Sequence, residues 1–165
     1  MRAYRVVARA ERRQRAAFAL LRTRPEGLTS ATRRLLGPPI FGMSYGLAQR
    51  IPVALTGGYW LVPGNGHLCI VEQGSMGSPG AGSTCARTAD AVAHGIADTT
   101  VKRGGPGGGG ALAGPARLIV GVAPDGTRAV LVHTRGRMAR VPVVDGTFVL
   151  RDGVVAPADR FVAVR

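Results

Sequence analysis

Reactive and metal-binding side chains are few in this chain. Cys69 and Cys85 are its only cysteines, and His67, His94 and His133 its only histidines. Cys69 falls in a β-branched run and points to the core, and Cys85 does the same from a helical pattern. The two sulfurs can therefore meet across 16 residues of chain. A disulfide there would stabilise by roughly 3 kcal/mol through the entropy it removes from the unfolded chain, and it requires an oxidising compartment. The alternative is two buried thiols packing as small hydrophobes. His67, Cys69, Cys85 and His94 can be drawn as a four-ligand zinc set, but the spacing fits no zinc motif. No metal and no cofactor is expected.

Gly42 to Gly46, "GMSYG", matches the G-x-S-x-G pattern that holds a nucleophilic serine on a strained strand-to-helix turn. Its surroundings do not fit that role. Pro38 and Pro39 leave only Ile40 and Phe41 for the preceding strand, and Pro52 stops any following helix. A small serine-type hydrolase using Ser44, with Asp98 or Asp125 and His133, is thus a secondary reading. The segment from Cys69 to Ala93 reads as strand, glycine-rich loop and helix, the layout of a phosphate site. It lacks both G-K-[ST] and a G-x-G-x-x-G that fits, so nucleotide binding is not expected.

The elements that must position these residues are mostly strands. Residues 2–24 contain no Gly or Pro and predict a helix ending at Pro25, with Val7, Ala10, Ala17 and Leu21 on a narrow apolar stripe that Gln14 and several Arg interrupt. Residues 37–46 are broken by two prolines and three glycines. From Ile51 onward, β-branched runs alternate with Asn65-Gly66, Asp125-Gly126, Asp145-Gly146 and Asp152-Gly153, dipeptides suited to type I′ hairpin turns.

In "YWLVPGNGHLCIV" (59–71), a two-residue turn at Asn65-Gly66 pairs Val62 with Cys69 and Trp60 with Val71. One face then carries Trp60, Val62, Cys69 and Val71 and the other Leu61, Leu68 and Ile70, so the hairpin must be covered by a second layer. A three-residue loop would instead pair Leu61 with Cys69. Further strands are expected near 117–122, 127–133, 138–144, 147–151 and 160–164, with Pro142 on an edge or bulge. "STCARTADAVAHGIA" places Cys85, Ala89, Val92 and Ile96 on one helix face, capped by Ser83 or Thr84 and ended by Gly95. "GGPGGGG" at 104–110 reads as a flexible linker.

The 165 residues predict one domain. Apolar residues make up 45% but aromatics only 5%, so the core must rest on small branched side chains, which favours strands. The net charge is +13 and is unevenly spread. Residues 1–50 carry eleven Arg against Glu11 and Glu26, while the remaining eleven cations face seven acids. Arg12, Arg13 and Arg15 lie in the basic segment, which could be drawn to nucleic acid or an anionic membrane. Lys102 is the only lysine, the signature of a GC-rich genome. There is neither an apolar run of roughly 18 residues nor a signal-like segment of roughly 7 to 15.

Several segments together carry a resemblance: "AAFALLRTRP", "SYGLAQRI", "YWLVPGNGHLCIV", "STCARTADAVAHG", "GVAPDGTRAVLV" and "VPVVDGTFVL". From Ala16 on, the chain resembles a group of uncharacterised actinobacterial proteins with an F-A-x-x-R-R-P-like segment, W-L-V-P-G, two separated cysteines and a V-P-D-G-V turn. Members are similar to exported proteins with an apolar anchor or signal before the first segment, where this chain is basic. The resemblance implies an extracytoplasmic location and, with it, a Cys69–Cys85 bridge. The whole reading is an α+β, mainly antiparallel β protein. It comprises a basic helical arm (1–36), a turn-rich connector (37–50) and a meander or sandwich-like β domain with one packed helix (51–165). The function expected is a non-catalytic, envelope-associated or secreted interaction module, its partner a cell-envelope component or another protein, with Tyr59 and Trp60 as aromatic contact candidates. Nucleic-acid binding through the arm is a further alternative.

Overall fold

A computed structural model describes residues 11–55, 57–74, 80–102, 116–134, 137–152 and 161–165. The protein is α+β and its strands pair antiparallel throughout these residues. The first sheet has the order β1 (Gln49–Arg50), β2 (Gly58–Pro63), β3 (His67–Gln73), β4 (Ala81–Arg87). The second is β5 (Ile96–Lys102), β6 (Ala116–Val122), β9 (Thr147–Asp152), and the third is β10 (Phe161–Val164), β7 (Ala129–Thr134), β8 (Arg137–Pro142). Three helices accompany them: α1 at 11–17, α2 at Ser30–Leu36 and α3 at Thr88–His94.

The β2–β3 hairpin has the register expected for a two-residue turn, with Trp60 opposite Val71 and Val62 opposite Cys69. Because successive side chains alternate across a strand, its two apolar faces feed two cores. Trp60, Val62, Cys69 and Val71 pack with Leu28, Met43 and Ala48. Tyr59, Leu61, Leu68 and Ile70 pack against Phe18, Leu21, Ile51, Ala91, Ile96, Leu118, Val120 and Val122. The same alternation on β6 turns Ile119 the other way, where it joins Phe148, Val130, Val132 and Val141 between the second and third sheets. The molecule is thus a stack of three sheets. The strands after residue 116 are divided between two of them, the sandwich-like form of the expectation.

Turn chemistry explains that division in part. At Asp145-Gly146 both residues have positive φ, 50° and 74°, and Val144 and Thr147 exchange backbone bonds around them, as a type I′ turn requires. At Asn65-Gly66 and Asp125-Gly126 only the glycine is positive, so these are not type I′ turns. The second is no hairpin either: Thr127 N–H donates to Pro124 O and the chain turns a corner from β6 in one sheet to β7 in the next. Pro142 ends β8, an edge strand opposite Ala129, where its missing N–H breaks no ladder.

Two helix expectations are corrected. α1 stops at Phe18, whose φ of −127° and ψ of 110° are extended, and a 3-10 turn follows over Ala19–Arg22. The interruption lets Phe18 and Leu21 both reach the core. Residues 83–87 are strand rather than helix, because β4 pairs along the whole of β3 and sets Cys85 opposite Cys69. Cys85, Ala89, Val92 and Ile96 therefore share no helix face. Within α3 the buried residues are Thr88 and Ala91, Ala89 is exposed, and Ile96 opens β5. Gly95 does end α3, with φ 83° and its N–H on Ala91 O. Val7, Ala10, the 104–110 glycine tract and Gly153 lie outside the described residues.

Candidate functional site

The Cys69 and Cys85 sulfurs are 2.08 Å apart, at disulfide distance, with their Cα atoms 4.1 Å apart. Such close approach belongs to directly opposed residues of an antiparallel pair. His67 is half-buried and its ring stacks on Phe41, whereas His94 is exposed at the last turn of α3. Among the described residues no cluster of three or more His, Cys, Asp or Glu is placed to hold a metal ion.

Ser44 does not sit at a strand-to-helix elbow. It precedes a 3-10 turn (Tyr45–Leu47), is half-buried, and its hydroxyl donates to Glu11 Oε1 at 3.4 Å. Asp98 accepts the Thr84 hydroxyl, and Asp125 serves the N-terminal segment. Asp98 and Asp125, the acids that would accompany Ser44, are thus engaged separately, and the His133 side chain lies outside what is described. The glycine-rich stretch read as a strand-to-helix loop joins β3 to β4 instead, with Gly74 N–H on Gly80 O.

Tyr59 and Trp60, the aromatic contact candidates, are 1% and 7% exposed and belong to the two cores. Both lie on a strand covered on each side, so neither forms a contact surface. Arg12, Arg13 and Arg15 are exposed on α1, while Gln14 between them is wholly buried. The Gln14 Nε2 group faces Gly64 O at 3.2 Å, His67 O at 2.8 Å and Thr88 Oγ1 at 2.8 Å, tying α1 to the β2–β3 turn and the start of α3. Beyond Phe18, Asp125 accepts from Ala19 N–H at 2.8 Å and from Arg22 Nη1 at 2.6 Å, and donates its own N–H to Ala17 O. A shallow groove of about 370 Å³ runs between α1 and α3, lined by Arg13, Ala16, Ala17, Thr88, Ala89 and Val92.

Sequence reasoning missed the segment 33–45. Leu35, Ile40 and Phe41 are each more than half exposed, and Pro38, Pro39, Arg33 and Arg34 are exposed with them. Ile40 to Met43 form a tight turn in which Met43 N–H donates to Ile40 O, and Phe41 and Gly42 have φ of 50° and 61°. Both central residues positive is the type I′ geometry, which prefers Asn, Asp or Gly. A phenylalanine there is a conformational outlier that costs on the order of 1 kcal/mol.

The turn is held down on all sides. Phe41 O accepts Asn65 N–H, Ser44 N–H donates to Pro63 O, and Met43 is buried. A Cβ on Gly42 would stand 2.9 Å from that of Asn65. The Phe41 and His67 ring centroids are 4.5 Å apart, with 27° between planes. Tyr45 donates its hydroxyl to Gly37 O at 3.2 Å, and burial raises its pKa. The signal available in the sequence was "LLGPPIFG", apolar residues crowded into a segment too rich in Pro and Gly to bury them. No family model, curated protein or solved structure matches the chain.

Proposed function

We propose that this protein is a non-catalytic interaction module of the cell envelope or the secreted space, and that it makes contact through the turn at residues 35–42. One observation carries the reading: Phe41 occupies a strained left-handed conformation that leaves it exposed, on a turn fixed to the core by Met43 and the Asn65 bond. Strain held at an aromatic that stacks on His67 yet stays 53% exposed supports a contact role. The cysteine pair at disulfide distance supports an oxidising compartment. Ser44, Asp98 and Asp125 have structural partners, which favours contact over catalysis.

Hydrogen exchange on the full chain, with and without an envelope fraction of the native cell, tests this. Protection concentrated at residues 33–45 is the expected result. No protection there, or labelling of Ser44 by a fluorophosphonate probe, would overturn the reading.

A further inference from the structure

Six large apolar side chains are more than two-fifths exposed among the described residues, and three of them, Leu35, Ile40 and Phe41, fall within seven positions. The others, Met138, Val144 and Val162, are on or beside the outermost sheet. We propose that the Leu35–Phe41 tip docks on an anionic lipid bilayer, its apolar side chains entering the acyl boundary and Arg33 and Arg34 meeting the headgroups. This rests on the contact reading above and names the partner class.

Charge complementarity is the first support. Arg33 and Arg34 stand in the last turn of α2 beside Leu35, and none of the nine acids falls between Gly27 and Val71. Arg33 Nε donates to Leu28 O and Arg34 Nε to Ser30 O, carbonyl contacts that leave both charges uncompensated among the described residues, and Glu11 accepts the Ser44 hydroxyl. Cations next to exposed apolar groups suit an anionic membrane surface, where each is attracted within a Debye length and the apolar groups add a term that salt does not screen.

The backbone is the second. Hydrocarbon penalises polar groups without partners. Here Pro38 and Pro39 carry no N–H, Ile40 O and Phe41 O are taken by Met43 and Asn65, and Gly37 uses its N–H on Arg33 O and its carbonyl on Tyr45. These bonds satisfy part of the segment's hydrogen-bonding capacity. The Ile40, Phe41 and Gly42 N–H groups make no backbone bond among the described residues, so the backbone stays at the headgroup level while the side chains enter.

Shape is the third. The side chains crown a tight turn and a helix end, while the groove lies elsewhere, between α1 and α3. A stable protein interface needs roughly 1,000 Å² or more with a complementary surface. A fluid bilayer admits a small protruding tip without one.

The test uses the full chain in flotation with vesicles of phosphatidylcholine alone and of phosphatidylcholine with about 30% phosphatidylglycerol. Wild type is expected to float with the anionic vesicles. The Ile40→Ser/Phe41→Gly variant is expected to bind about tenfold or more weakly, the order of loss for removing two apolar side chains from lipid. Its melting temperature should hold or rise, since glycine relieves the positive φ. Arg33→Ser/Arg34→Ser should weaken binding mainly at low salt.

Absence of binding, or equal binding by the tip variant, would overturn the proposal. So would loss confined to Arg12→Ser/Arg13→Ser/Arg15→Ser, which would assign attraction to α1 alone, or a preference for duplex DNA over vesicles. Protection of residues 33–45 by the envelope fraction without flotation on pure lipid would leave a contact module with a protein or wall partner. Failure of both would remove the module reading itself.

Discussion

Gln14 is the residue on which the N-terminal segment turns. A primary amide buried at 0% exposure needs partners, and the Gln14 Nε2 group finds two carbonyls at the β2–β3 turn and a hydroxyl at the start of α3, while its Oε1 has none among the described residues. Gln14→Ala strands the Thr88 hydroxyl and the Gly64 carbonyl, and should lower stability by about 2 kcal/mol in urea unfolding. Gln14→Met, which keeps the volume and not the bonds, should lose a similar amount; a Met variant as stable as wild type would show that packing alone matters. In the sequence Gln14 looks like a flaw in an apolar stripe, because periodicity scores it as polar and cannot register that its donors are needed underneath. Gly121 poses the opposite case. It faces Phe148 across the second sheet, and a Cβ there would stand 2.0 Å from the ring. Gly121→Ala should therefore cost about 1–3 kcal/mol by overpacking, read as a lowered melting temperature.

At the level of elements, the β2–β3 hairpin was legible and β4 was not. The hairpin declares itself through alternation on both faces and a glycine at the turn. Its register follows from Val62 and Cys69 being opposite. "STCARTADAVAH" carries small residues and helix formers at helical spacing, and pairing with β3 overrides that local preference up to Arg87. Only after the ladder ends does α3 begin, over seven residues. The helix expected through residue 24 fails for a related reason: Phe18 and Leu21 can both be buried only if the backbone is reset between them.

β4 is an edge strand held by β3 alone within its sheet, and the sulfur pair lies in its middle third. Replacing both cysteines by alanine should lower stability by about 3 kcal/mol for a loop of 16 residues. Hydrogen exchange should then quicken in residues 81–87 before it does in 58–63. Uniform loosening across the sheet would show that the link braces the core and not the edge.

Across the whole molecule, composition announced the architecture better than any motif did. Few aromatics and many Val, Ala and Gly make thin sheets that can be stacked. The three cores alternate along single strands, so Leu118 and Ile119 serve different layers. The candidate site escaped notice because it is defined by exposure, and exposure belongs to the folded ensemble of neighbours. Nothing in Ile40 or Phe41 distinguishes them from core residues until Met43 is seen to fill the place beneath. The charge asymmetry was visible from the start, and its structural counterpart is a basic segment that buries Phe18, Leu21 and Leu28 and exposes Leu35, Ile40 and Phe41.

The grip of Asp125 on Ala19 and Arg22 spans more than a hundred positions, 106 and 103 respectively. Translation delivers the head of the polypeptide first, and its clasp arrives only when most of the message has been read. Contacts so remote in order slow the last stage of maturation. A ribosome-bound intermediate lacking the final third would keep Phe18 and Leu21 without part of their cover, a natural foothold for a chaperone.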